Sequence, residues 1–390
     1  MKGRLEIELI TPLFIGNGEK YSPVEYVLDR GTFNPINMEK FLEDNLYRKS
    51  IYSNLLDGMS KGSIDFLKLC RENRIDYKKY VRFTLSSPDL KKPQEVIRYI
   101  KSGGKVYIPG SSIKGALRST LTKYAVNSES DLKLFTKTIM NSQTGASNSR
   151  DDSSGNKHSS KTSAKTLDDE GDGKIFGITY NSPFRLVSIS DSEMKAPDVL
   201  KIYDIKILNV CNGRIKWFNR PGNNVDYPED ARSFFMEGIA EENSFSSVMS
   251  VNEASSYIIS ESGIKNAGIV FNFVSEINEE IKKYISSEYD FFRKFSNSRD
   301  LKAVIDFYGG LLDKAEKLEE NEFLLQVGFG TGMLSKTIIQ YLDDDMKSKI
   351  AQISRHRHYD KMYPKTRRIV FENGKAKCVP GWIKCRLLTA

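Results

Sequence analysis

Residues 106–118 read VYIPGSSIKGALR, the most informative stretch of the chain. A β-branched and aromatic run, Val106-Tyr107-Ile108, meets a Pro-Gly turn at Pro109-Gly110. Two serines then open a helix predicted over about 111–124. Ser111 or Ser112 suits the N-cap, where a hydroxyl accepts from a free backbone N–H. The N–H groups of that first turn, with the positive end of the helix dipole, would suit a phosphate. Lys114 and Arg118 stand four residues apart and so share one helix face. Gly115 lies between them and leaves room for another backbone. Strand, tight turn, helix start and paired cations together fit an anion site, and nucleic acid is the obvious polyanion. The same spacing also fits a plain capped amphipathic helix.

A second candidate is the loop Gly328-Phe329-Gly330-Thr331-Gly332, between an apolar run at 323–327 and a helix expected over about 333–342. No Gly-Lys-Ser/Thr follows at Walker A spacing, and the GxGxG pattern is not a dinucleotide fingerprint. Gly328, Gly330 and Gly332, with Lys336 just beyond, could cradle an RNA strand; they could equally make a tight strand–helix connection. A third candidate is RHRHYDKMYPKTRR at 355–368. Its cations include Arg355, Arg357, Lys365, Arg367 and Arg368, against the single acid Asp360, with His356, His358, Tyr359 and Tyr363 interleaved. Cations that track phosphates and rings that stack on bases suit single-stranded RNA; a solvated basic loop is the alternative.

The elements that must position these groups alternate irregularly, which predicts an α+β fold. RLEIELI at 4–10 reads as a half-buried strand, Gly16-Asn17-Gly18 as a turn, and 24–28 as a second strand. Residues 38–80 read as a helical insertion. Residues 141–174 are rich in Ser, Asp, Lys and Gly, with one Leu and no aromatic. They cannot bury enough surface to offset ordering, so a disordered loop is expected there. It divides an N-terminal half, 1–140, from a remainder at 175–390. Beyond it, 184–190, 200–210, 231–240, 323–327, 367–371 and 382–388 read as strands, and 275–320 as two solvated helices.

Composition narrows the function. Fifty-nine Lys and Arg against 51 Asp and Glu leave a net charge of +8, compatible with a nucleic-acid partner. No apolar run approaches the roughly 18 residues of a membrane helix. MKGRLEIELI lacks a signal-peptide core. Four scattered cysteines read as reduced thiols, so a cytoplasmic protein is expected. No CxxC pair, GxSxG, HExxH or Cys-His signature is present, so neither a metal nor another cofactor is expected.

The IPGSSIKGALR stretch is similar to the signature of the RAMP superfamily of CRISPR-associated proteins. TPLFIGNGE at 11–19 resembles the family's opening strand and glycine turn. IFG at 175–177 with FRLVSISDS at 184–192 resembles its mid-chain strand, and QVGFGTG at 326–332 its glycine-rich loop. PKTRRIVF at 364–371 and PGWIKCRLL at 380–388 resemble the ending of one branch, the terminal RAMP subunit of the type III-A Csm effector complex. The resemblance implies an RRM-like, ferredoxin-like core, a second related half and helical insertions. It implies binding of the guide (crRNA) near its 3′ region, contact with the repeating backbone RAMP subunits, and help to a separate trimming nuclease. Gly110–Ser112, Lys114 and Arg118 would then meet guide phosphates, and Gly328–Gly332 would lie against the RNA or the core. Backbone subunits that cut target RNA carry an acid before a Ser-Pro-Val; here Tyr21 precedes Ser22-Pro23-Val24, which implies no target cleavage, with Glu19 and Glu25 nearby. Two other functions compete. One is a RAMP endoribonuclease processing precursor guide RNA. Its usual amino-terminal histidine is missing from 1–157, so catalysis would fall to His356, His358 or tyrosine and lysine groups. The other is a mainly structural, protein-binding subunit.

Overall fold

The structure is a computed structural model that describes residues 2–45, 47, 49–61, 66–126, 132, 133, 136, 175–177, 182–252, 267–353 and 363–389. Alternation sets the first element. Strand β1 (Lys2–Leu9) buries Gly3, Leu5, Ile7 and Leu9 and turns its charged residues the other way. Next come β2 (Gly16–Tyr21), β3 (Tyr26–Asp29) and β4 (Thr32–Pro35). The expected insertion follows as α1 (Met38–Asp44), α2 (Lys49–Lys61) and α3 (Phe66–Glu72). It has a small core of its own, where Phe41 meets Phe66 and Tyr80 edge to face. Strands β5 (Leu85–Ser86) and β6 (Val96–Tyr99), then the hairpin β7 (Lys101–Ser102) and β8 (Lys105–Val106), lead into α4 (Gly110–Ala125). After β9 (Val187–Ile189) the chain builds β10 (Leu200–Cys211), β11 (Arg214–Arg220), β12 (Asn223–Val225), β13 (Phe234–Ile239) and β14 (Ser244–Val251). The two helices expected over 275–320 are α5 (Phe273–Arg293) and α6 (Lys302–Glu316). The remainder is β15 (Glu322–Gln326), α7 (Met333–Lys336), α8 (Asp344–Ile353), β16 (Thr366–Glu372), β17 (Lys375–Cys378) and β18 (Trp382–Thr389).

These strands form two large sheets. The first is antiparallel, in the order β15-β18-β1-β14-β9. Since α4 precedes β9 and α5 follows β14, β18-β1-β14-β9 has the ferredoxin-like order, with β18 as the neighbour of β1. The two ends of the chain are thus paired, Gly3 opposite Thr389 and Leu9 opposite Ile383. Helices α4 and α5 pack together over the inner face of this sheet, where Tyr284 stacks on Trp382 at 5.8 Å between centroids. The second sheet runs β2-β6-β13-β10-β5-β4-β3, with β11, β12, β16 and β17 joined to it around β10. The fold is α+β.

Three expected elements differ in detail. The 184–190 strand begins as a 3-10 turn, Pro183–Leu186, because Pro183 fixes φ and lacks a ladder donor. The 333–342 helix stops at Lys336; Thr337 is extended, and a separate 3-10 turn covers Ile339–Tyr341. The β-branched pair Thr337-Ile338 holds a helix poorly. The 141–174 segment lies outside the described residues.

Between α4, α5 and β16 the core carries charge. Arg367 clamps Glu288 through two hydrogen bonds of 2.7 Å, and also donates to the carbonyls of Pro364 (2.7 Å) and Thr366 (3.1 Å). Glu280 accepts from Tyr341 and Gln340. Lys123 is enclosed, 4.7 Å from the Tyr284 ring, and its Nζ donates to the Leu334 carbonyl at 3.1 Å. Breaking a buried pair strands its partner, so Arg367→Ala is expected to lower stability by about 3–5 kcal/mol in urea denaturation; a loss under about 1 kcal/mol would contradict the pairing. Burial lowers the Lys123 pKa from 10.5 to about 8, against the pull of Glu280 and Glu288. Between those values the unfolded chain binds more protons, so this residue makes stability rise with pH. Unfolding free energy measured from about pH 7.5 to 9.5 should climb more steeply for the native chain than for Lys123→Met, and equal slopes would mean that burial does not lower the Lys123 pKa.

Candidate nucleic-acid interface

Two of the sequence motifs build one groove. A cleft of about 660 Å³ is lined on one side by Ser111, Ser112, Gly115 and Ser119 of α4. Opposite stand Gly16, Gly18 and Lys20 of β2, and Gly328, Phe329 and Lys336 complete the wall. Ile15, Ile97 and Met236 give it apolar lining.

Close backbone approaches fix the walls. A Cβ on Gly110 would lie 2.2 Å from the Ile189 carbonyl oxygen and 2.6 Å from that of Ser190. The 108–110 turn is further tied to the 191–192 segment by Ile108 N–H to Ser192 Oγ (2.9 Å), Ser192 N–H to the Ile108 carbonyl (3.0 Å) and Gly110 N–H to Asp191 Oδ1 (2.9 Å). The helix therefore begins at Gly110, with Pro109 as its N-cap and no side-chain cap. This corrects the expectation that Ser111 or Ser112 caps it. Both serines sit within the first turn, one and two residues past Gly110, and line the cleft, and Asp191 is the anion at the helix start.

The lysine and arginine of α4 point away from the cleft wall. Lys114 Nζ donates to the Val187 carbonyl at 2.7 Å, and burial, aided by the Arg118 charge, lowers its pKa. The Arg118 guanidinium lies 5.5 Å from the Phe184 ring. Gly115 is open, with nothing within 4 Å of a built Cβ.

The glycine loop is a packing device as well as a wall. Gly328, Gly330 and Gly332 have φ of +90°, +89° and +89°. A Cβ on Gly328 would lie 2.4 Å from the Phe14 carbonyl oxygen, which accepts from Phe329 N–H at 2.7 Å; one on Gly330 would lie 2.8 Å from Pro380. Phe329 is thereby held outward at 42% exposure, with the Arg368 guanidinium 5.0 Å from its ring. Lys336 stands beside them, its pKa lowered by burial and by the Arg368 charge. Arg367, the next residue on β16, faces the opposite way into the core pair with Glu288. That corrects its expected place on an RNA-binding surface: strand alternation allows only one of the two arginines outside. Lys365 and Gly332 line a separate cavity of about 330 Å³. Arg355, Arg357, His356 and His358 lie outside the described residues.

Sequence reading missed Phe329 and Lys20 as wall residues. An aromatic between two glycines, and a lysine two residues after Gly18, were the available signals. Tyr21 is buried, with Arg98 4.1 Å over its ring. Arg98 also pairs with Glu19 (3.3 Å) and Glu25 (2.5 Å), which ties up both carboxylates. Among the described residues no cluster of three His, Cys, Asp or Glu could hold a metal ion, and no helix is long and apolar enough to cross a membrane.

The comparisons agree with this architecture. The chain belongs to the RAMP superfamily, whose pattern matches residues 6–335. It is 35% identical over 126 residues to the "CRISPR system Cms protein Csm5" of Methanocaldococcus jannaschii, covering 30% of this chain and 29% of that one. It is 28% identical over 137 residues to the protein of the same description in Streptococcus thermophilus, covering 30% and 37%. The aligned stretches thus span about a third of these relatives' lengths. The crystal structure of T. onnurineus Csm5 superposes with a TM-score of 0.62 at 16% identity, covering 97% of this chain and 99% of that one. A chain of the cryo-EM structure of a Csm-crRNA-target RNA ternary complex from a type III-A CRISPR-Cas system gives 0.67 at 18%, covering 99% and 100%. At such identities the likeness establishes the fold.

If Gly328 is required by both its φ and its contact, Gly328→Ala should cost about 1–3 kcal/mol more than Gly332→Ala, which has the same φ but open space. Equal losses in chemical denaturation would mean that the Phe14 contact demands no glycine.

Proposed function

We propose that the chain is a non-catalytic crRNA-binding subunit of a type III-A CRISPR effector complex. It holds the 3′ region of the guide, packs against the backbone RAMP subunits, and assists assembly and maturation of the guide with a separate trimming nuclease. The observation that carries RNA binding is the exposed Phe329 ring, flanked by Arg368 and Lys336 on the lip of a cleft with open glycine walls. A ring offers a stacking face to any base, and the two cations suit the phosphates on either side. The serine hydroxyls of α4 add hydrogen-bonding groups that suit ribose and phosphate oxygens. The relatives described as Csm5, and the neighbour taken from a Csm-crRNA-target RNA complex, favour this assembly and this RNA. The non-catalytic reading is supported by Tyr21, buried where target-cutting subunits carry an acid, and by Glu19 and Glu25, both engaged by Arg98. We place the subunit in the cytoplasm, which suits its free thiols at Cys70, Cys211, Cys378 and Cys385.

Phe329→Ala combined with Lys336→Ala should weaken binding of labelled single-stranded RNA about tenfold or more, and flatten the dependence of affinity on salt. Melting temperature should stay unchanged, since neither side chain belongs to the buried core. A folded double variant with native RNA affinity would defeat the reading.

A further inference from the structure

Strand β2 has a second side. Gly16, Gly18 and Lys20 face the cleft, whereas Asn17 and Tyr21 face another cavity, of about 770 Å³, and Glu19 borders both. The strand is a thin wall between them. Its pairing with β6 slips between Gly16 and Lys20, which lifts residues 17–19 into a ridge. A Cβ on Gly18 would meet nothing within 4 Å, so the crest of the ridge is bare backbone.

The far cavity has two kinds of lining. Phe83 and Met194, the latter 51% exposed, make an apolar patch. Arg82, Arg98, Lys101 and Lys105 bring four cations against one lining carboxylate, Glu19. Two of these cations are braced from beneath: Arg98 by Glu19 and Glu25, and Lys101 by the buried Glu237, which also accepts from Tyr99 N–H at 2.8 Å. Arg82 and Lys105 stand exposed at the rim. An apolar patch beside rim cations is complementary to a base with its phosphate.

We propose that this cavity is a second nucleotide subsite, and that one RNA strand crosses the bare crest of β2 with nucleotides in both the cleft and the cavity. The inference rests on the RNA-binding reading above and extends its footprint. Neither the aromatic lip at Phe329 nor the α4 serines belong to this second site.

The test is fluorescence anisotropy of the full chain with single-stranded RNAs of about 5 and about 12 nucleotides, across several salt concentrations. Arg82→Ala combined with Lys105→Ala should weaken the longer RNA about tenfold and reduce its salt slope by about 1.4, the value for two phosphates on a single strand. The shorter RNA, satisfied by the cleft, should bind this variant as it binds the native chain. Phe83→Ala should weaken the longer RNA without altering the slope. Native affinity of the rim variant for the longer RNA, while Phe329→Ala with Lys336→Ala still weakens it, would remove the second subsite and leave the RNA-binding reading standing. Equal weakening of both lengths by the rim variant would show a general field rather than a subsite, which also overturns the proposal. Absence of binding to the native chain would bring down both readings.

Discussion

Two backbone contacts too close for any side chain hold the groove together. At Gly110 the start of α4 lies against the carbonyls of Ile189 and Ser190; at Gly328 the glycine loop lies against the carbonyl of Phe14. Each joins segments far apart in sequence, and each sets one wall. The first places Ser111, Ser112 and Gly115 beside the cleft, while the second turns Phe329 outward. Gly110, Gly328 and Gly330 are therefore explained first by packing. That packing leaves hydroxyls, bare backbone and an aromatic ring on the same surface, the groups that the proposed RNA binding would use.

The core behind the groove is stabilised by charges as well as apolar contacts. Lys123, Glu280, Glu288 and Arg367 meet where α4, α5 and β16 pack, with Tyr284, Gln340 and Tyr341 completing the polar contacts. A buried ion pair adds little net stability over an apolar substitute but strongly disfavours arrangements that would separate its partners. Here it locks β16 to α5, and hence fixes on which face Arg368 emerges. The path from buried Glu288 through Arg367 to half-buried Arg368 links a core interaction to the charge beside the Phe329 ring.

Much of this was legible in the chain. The alternation of RLEIELI, the helix after Ile-Pro-Gly and the helical insertion are local patterns, and each produces the expected element. Two of the three motifs that suggested an anion site converge on one cleft. The errors have a common physical origin in long-range contacts. The serines look like caps in the sequence because Asp191, which meets the Gly110 N–H, lies 81 residues away. Arg367 and Arg368 look equivalent in a basic run until a strand puts them on opposite faces. Lys114 and Arg118 share a helix face, but that face packs against Val187 and Phe184. The second sheet assembles short strands such as Leu85–Ser86 and Val96–Tyr99, each with one pairing partner more than a hundred residues away.

The central claim is that single-stranded RNA lies in the cleft between α4, β2 and the glycine loop. Photocrosslinking of the full chain to 4-thiouridine RNA, followed by mass spectrometry of the crosslinked peptides, tests it directly. The account predicts crosslinks on peptides carrying Phe329 and the first turns of α4. Crosslinks confined to the helical lobe at 38–72, or to the outer face of β1, would contradict it.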